Sequence, residues 1–324
     1  MSDTRDQIEA EAATPAVDVR NLRKSFKLGF ALQRTFQALD GVSLSIKPRS
    51  IAGFLGPNGA GKTTTIKILT GLIFADSGEA RILGELPTSA QARRRLGYLP
   101  ENPSFHDHLT GREALGVACE LAGMSGRDVK RRIGEALEMV KLSHAADLQV
   151  RRYSKGMTQR LGIAQALVHD PELLILDEPM SGLDPVGRRD IKDLLRALAG
   201  RGKTLFFSTH IIADVEDICD RVTIVVGGKI VRDASVHELL GDESGEMEIV
   251  ASNVPESLAS RAASTSTSGL RTFLATDANA ARRLVEELWQ GGARVMSMNL
   301  KRHRLEDYFM REVQKQPPRA RMEV

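Results

Sequence analysis

The stretch SIAGFLGPNGAGKTTTIKILTGL, residues 50 to 72, decides the fold. Ser50 to Gly56 is a short apolar run of strand type, and it leads straight into a glycine-rich loop. From Thr64 the apolar residues continue with helical spacing. GPNGAGKT, Gly56 to Thr63, fits G-x-x-x-x-G-K-[ST] at every position and sits where that pattern's chemistry needs it, between a strand and a helix. Gly56, Gly59 and Gly61 let the backbone wrap tightly, with Pro57, Asn58 and Ala60 completing the loop. Several N–H groups can then point inward at phosphate oxygens. The N-terminus of the following helix adds its partial positive charge. Lys62 is placed to span the β- and γ-phosphates, Thr63 to bind Mg²⁺ through its hydroxyl, and Thr64 to touch the α-phosphate. The segment reads as a nucleotide site.

Outward from this loop the chain alternates between strands and helices, which implies an α/β fold with a mostly parallel sheet flanked by helices. VDVRNL and VSLSI, the latter stopped by Pro48, precede the loop as short strands. From Ala90 to about Ala166 the pattern is mainly helical and amphipathic. LLILD, KTLFFSTH and VTIVVGGKIV follow as strands, the last a hairpin turned at Gly227-Gly228, with helices between them. We expect a disordered N-terminus over 1–14 and a nucleotide-binding domain over 15–240. A small C-terminal α/β domain over 241–313 and a loose tail over 314–324 follow. The C-terminal domain is expected to contain a Ser/Thr-rich insert, a helix from Ala278 and a closing helix around RLEDYFMREV.

LLILDEPMSGLDP, residues 173 to 185, ends an apolar strand in two adjacent acids. With a phosphate loop upstream they acquire roles. Asp177, closing the strand, lies beside the loop and can hold Mg²⁺ through water. Glu178, one residue further, can reach a water in line with the γ-phosphate and is the candidate general base.

At this point the residues resemble one family, the ATP-binding subunits of ABC transporters, over about 20 to 240. RRYSKGMTQRLGIAQAL resembles that family's signature segment, with Tyr153-Ser154-Lys155-Gly156-Met157 in place of the usual LSGGQ. SGLDP, Ser181 to Pro185 with Asp184, resembles the D-loop, and His210 in FFSTH resembles the switch histidine. The resemblance implies an ABC-type P-loop ATPase core: a mixed sheet with flanking helices, a helical subdomain at about 101–165 and an antiparallel N-terminal β-subdomain. It also implies a head-to-tail dimer in which each ATP lies between one phosphate loop and the opposite signature. Ser154 and Gly156 would then contact the γ-phosphate held by a second copy, and the His210 imidazole would face the γ-phosphate of its own site. Two departures stand out. Lys155 and Met157 replace a glycine and a glutamine, and Glu101 in GYLPENPSF stands where the family carries the Q-loop glutamine. A carboxylate there can still ligand Mg²⁺. For the aromatic that stacks on adenine, Phe26 in NLRKSF holds the family position; Phe30 or Phe36 could substitute.

The bulk numbers narrow the class. The chain has 324 residues and a net charge of +3 from 45 basic and 42 acidic side chains, too balanced to argue for nucleic acid. Its two cysteines, Cys119 and Cys219, carry no metal or redox spacing. His106-Asp107-His108 reads as a solvated loop rather than a metal site. No apolar run approaches a membrane span, so a separate transmembrane permease is the implied partner. The protein is expected in the cytoplasm, peripheral on the inner face of the plasma membrane. GYLPENPSF, YSKGM, the extra C-terminal domain and RLEDYF most resemble the exporter branch. A soluble assembly-machine ATPase and a non-hydrolysing regulatory subunit are the competing classes. The long coiled coil or second ATPase domain of the first is missing from the sequence. Lys62, Asp177, Glu178 and His210 argue against the second.

Overall fold

The computed structural model describes residues 14–28, 34–240, 247–267, 269–300, 306 and 309–310. These fall into two compact units, one within 1–236 together with 309–310 and the other within 237–308. Phe30, nearly all of the 1–14 stretch, the 314–324 tail and most of RLEDYFMREV lie outside the described residues.

In chain order the first unit contains β1 (Val17–Leu28), β2 (Arg34–Ile46), β3 (Ile51–Leu55), α1 (Lys62–Leu69), β4 (Ser77–Ile82), α2 (Ala90–Arg94) and β5 (Leu96–Leu99). It continues through α3 (Gly111–Leu121), α4 (Arg127–Met139), α5 (Lys155–Leu167), β6 (Leu173–Asp177), α6 (Pro185–Gly200), β7 (Thr204–Thr209), α7 (Ile212–Ile218), β8 (Arg221–Val226) and β9 (Lys229–Ser235). A six-stranded sheet runs β5-β6-β7-β3-β8-β9, parallel except for the final β8–β9 hairpin. A separate antiparallel sheet runs β2-β1-β4. The residues of β3, β6 and β7 are buried throughout. That explains their continuous apolar runs, since a parallel sheet is covered on both faces.

One strand departs from expectation. Leu96–Leu99 falls in the region read as mainly helical, yet it pairs with β6 and forms the sheet's edge. Four apolar residues are too few to show a period, so strand and buried helix look alike there. The helices around it are set by their caps. Thr110 and Glu113 make a reciprocal capping box at the start of α3, and Asp184 caps α6 ahead of Pro185 at its first position.

The sheet order positions the chemistry. β6, β7 and β3 are parallel neighbours, with Leu55 in register with Thr209 and Asp177 with Ser208. The loops that leave their carboxyl ends therefore emerge side by side, at the edge where open α/β sheets hold ligands. Those loops are the phosphate loop, the paired acids and the His210 turn.

The second unit is an antiparallel sheet in the order β11-β12-β10-β13, from β10 (Met247–Ser252), β11 (Ser264–Thr265), β12 (Arg271–Ala275) and β13 (Arg294–Leu300). Helix α8 (Ala278–Gln290) packs on it. Asp277 caps this helix, and Ala281, Leu284, Val285 and Leu288 supply its buried stripe. The Ser/Thr-rich stretch contributes β11, paired to β12 through Ser264 and Thr265. Among the described residues no helix is long and apolar enough to cross a membrane.

Candidate functional site

The loop after β3 wraps back on α1 because Gly61 has φ +104, a conformation closed to other residues. A Cβ there would also meet the Ala38 carbonyl at 2.8 Å. Lys62, the first residue of α1, is buried. Its Nζ donates to the Gly56 carbonyl at 2.7 Å and to the Pro57 carbonyl at 3.4 Å, and lies 3.3 Å from Glu178 Oε1.

Asp177 is 1% exposed. Its Oδ1 accepts from Ser208 Oγ at 2.5 Å, while Oδ2 is buried without a hydrogen-bond partner of regular geometry among the described residues. Burial pushes the Asp177 carboxyl above its ordinary range; the hydroxyls of Ser208 and Thr63 pull the other way. An unmatched buried carboxylate oxygen costs on the order of 1–3 kcal/mol. A hard divalent cation is the ligand that would recover it, so Asp177 and Thr63 fit Mg²⁺.

Glu178 sits at φ +49, in the left-handed region where a residue with a Cβ loses about 1–2 kcal/mol. Two side chains hold it there. Ser208 Oγ accepts from the Glu178 N–H at 3.0 Å, and the Gln159 amide donates to the Glu178 and Pro179 carbonyls at 3.3 and 3.2 Å. The strained turn directs the carboxylate toward the loop. Its Oε1 meets Lys62, and its Oε2 is 3.0 Å from His210 Nδ1. Neither Ser208 nor Gln159 was among the expected site residues. Both lie in motif segments already singled out, but only the fold reveals that they hold the acids.

Pro57 to Thr64, Glu101, Glu178, Phe36 and Ala38 line a cavity of about 250 Å³. Lys62, Thr63, Thr64, Glu101 and Glu178 are thus brought together. Phe26 is not among the lining residues; it stands directly across from Phe36 in the β1–β2 pair, 36% exposed, under the Lys24 ammonium. Ser154, Gly156 and Asp184 are not in the lining either. Ser154 caps α5 by accepting from Met157 N–H at 3.2 Å, which leaves its hydroxyl proton free to donate. Asp184 accepts from Gly187 N–H at 2.7 Å.

Comparison with known proteins places this geometry in context. Residues 39–181 match the ABC transporter family. The chain is 39% identical to an uncharacterized ABC transporter ATP-binding protein of Synechocystis sp., over 94% of this chain and 88% of that one. It is 39% identical to the Nod factor export ATP-binding protein I of Burkholderia orbicola, over 71% and 74%. Among solved structures it resembles the dimeric post-hydrolysis state of the ATP-binding cassette MJ0796 bound to ADP and Pi. There the TM-score is 0.63 at 27% identity, covering 68% of this chain and 99% of that one.

Proposed function

This chain belongs to the ABC transporter family as an ATP-binding subunit with ATPase activity, and on that premise we propose that it drives export through a separate membrane permease. In this reading two copies pair head to tail around ATP·Mg²⁺. The observation that carries the reading is the meeting of Lys62, Glu178 and His210 at the mouth of the glycine loop, beside the unmatched Asp177 oxygen.

The loop N–H groups and Lys62 bind the phosphates. Glu178 orients the attacking water and takes its proton as the bond from the γ-phosphorus to the bridging oxygen breaks. His210 Nδ1 meets the Glu178 carboxylate at 3.0 Å. Thr63, Asp177 and Glu101 would hold Mg²⁺, which when bound offsets negative charge on the phosphate oxygens. Ser154 and Gly156 act on the nucleotide of the other copy. Hydrolysis removes the bridging charge and the dimer loosens.

The export assignment draws on the Nod factor relative and on the sequence form of the Q-loop and signature. A groove lined by Phe105, Leu109, Ala114, Val117 and Leu121 supports docking of a membrane partner's cytoplasmic segment on the helical region. Leu121, 84% exposed, leaves apolar surface open there. Recovering the tagged protein from detergent-solubilised membranes of its native cell tests this reading. A polytopic membrane protein in fixed ratio is the expected result. Recovery of soluble partners alone, with the chain absent from membranes, would move the assignment to the assembly-machine class.

Because Phe36 and not Phe26 lines the cavity, adenine stacking is assigned first to Phe36. Phe36→Ala should raise the KM for ATP roughly 5- to 10-fold, as loss of about 1 kcal/mol or more of base stacking requires. Phe26→Ala should raise it less, by loosening its cross-strand partner. A larger effect at Phe26 would return the role to the family position.

A further inference from the structure

Helix α5 and the segment after the paired acids are stitched together within one protomer at successive levels. Gln159 donates to the Glu178 and Pro179 carbonyls, Arg160 pairs with Asp190 of α6 at 3.1 Å, and Gly156 faces the Leu183 side chain. The remaining level is Lys155, which replaces a glycine of the usual signature. Its stem lies across Gly182: a Cβ at Gly182 would stand 2.5 Å from Lys155 Cε and 2.8 Å from Cδ. Gly182 has φ +72. Glycine suits that backbone conformation, and the Lys155 stem occupies the space beside it. Among the described residues no acidic side chain is paired with the Lys155 ammonium. At the first position of α5 a cation also opposes the helix dipole. The side chain is exposed, and its aliphatic stem, rather than a charge pair inside the protomer, makes the contact with Gly182.

We propose that Lys155 is a positioning residue that locks the D-loop to the signature. Ser154, Gly156 and the 181–185 loop then meet a second copy as one preformed surface. The consequence for dimerisation rests on the head-to-tail dimer proposed above; the lock itself is a property of the single protomer. A glycine at 155 leaves the D-loop to be ordered at the moment of association. The lysine orders it beforehand.

Two measurements on the full chain test the lock. Hydrogen exchange of the 181–184 amides in nucleotide-free protein should be about tenfold faster in Lys155→Gly. In Lys155→Met, which keeps an unbranched stem without the charge, it should be unchanged. In a Glu178→Gln background, sedimentation with ATP should show a dimer about tenfold weaker for Lys155→Gly and within about twofold of the parent for Lys155→Met. The ATP affinity of the protomer's own loop should not move in either variant. Equal exchange rates in all three proteins overturn the lock, whatever the dimer does. A Lys155→Met dimer as weak as that of Lys155→Gly also overturns it, by assigning the effect to charge. If Lys155→Gly exchanges faster as expected but the Glu178→Gln parent forms no ATP-dependent dimer, the head-to-tail reading fails and the lock stands.

Discussion

Glu178→Gln accumulates as an ATP-bound dimer and releases phosphate about 10²–10⁴-fold more slowly than the unsubstituted protein, the range a positioned base supplies. The geometry of the site and the chemistry of the substitution give this expectation. The Glu178 carboxylate meets a cation on one oxygen and a histidine nitrogen on the other, so it is held in one orientation. Glutamine matches it in shape and can accept from Lys62 through its remaining oxygen, so the turn at φ +49 and its Ser208 and Gln159 clamps persist. What glutamine lacks is the capacity to take a proton. Neutralising residue 178 also removes one negative charge from the approach of the γ-phosphate, so ATP should bind at least as tightly as before. The bound nucleotide would then be cleaved far more slowly, and the proposed bridge between copies would persist. Light scattering with ATP·Mg²⁺ should show a stable dimer for the variant, and a phosphate-release assay should show the loss of rate. Normal hydrolysis by Glu178→Gln would remove Glu178 from the role of base.

How far the sequence can be read depends on whether the information is local. The strand–loop–helix of 50–72 is local, because Gly61 must adopt φ +104 and Lys62 must open a helix, and both needs are written as residue types in order. The buried runs of β6 and β7 were equally legible, as parallel strands covered on both faces. Leu96–Leu99 was not, since four residues carry no period and only its pairing with β6 makes it a strand. The aromatic beside the cavity is not given by residue type: Phe26 and Phe36 are directly paired across β1 and β2, and only Phe36 is in the lining. Ser208 bonds both acids because β6 and β7 happen to be adjacent and in register. Gln159 reaches the Glu178 and Pro179 carbonyls from α5. Neither contact has a sequence signal apart from the fold. The C-terminal helix was legible from its 281, 284, 285, 288 stripe, while the antiparallel order of its sheet is a matter of pairing alone.

Lys62→Ala acts on the same ion pair from the other end and should have the opposite effect on the nucleotide. Lys62 Nζ rests on two loop carbonyls and on Glu178, and in the proposed site binding ATP would exchange those contacts for anionic phosphate oxygens. Hydrogen bonds to charged groups contribute roughly 1.5–3 kcal/mol each. After the carbonyl contacts are given up, a net loss of about 3 kcal/mol is expected, which is on the order of a 10²-fold weaker Kd. Hydrolysis should fall further, because in the proposed site the same ammonium would face the charge that develops on the transferring phosphoryl group. The variant carries a second consequence, since Glu178 is 7% exposed and would lose its cation. Leaving one member of a buried pair behind can cost about 3–5 kcal/mol, so a lower Tm should accompany the weaker binding. The double variant Lys62→Ala with Glu178→Gln separates the two effects. Removing the stranded charge should restore much of the Tm, while ATP binding, read by equilibrium titration with a fluorescent nucleotide, should stay lost. If binding returns with stability in the double variant, Lys62 serves to hold the fold around Glu178 and does not grip the phosphates.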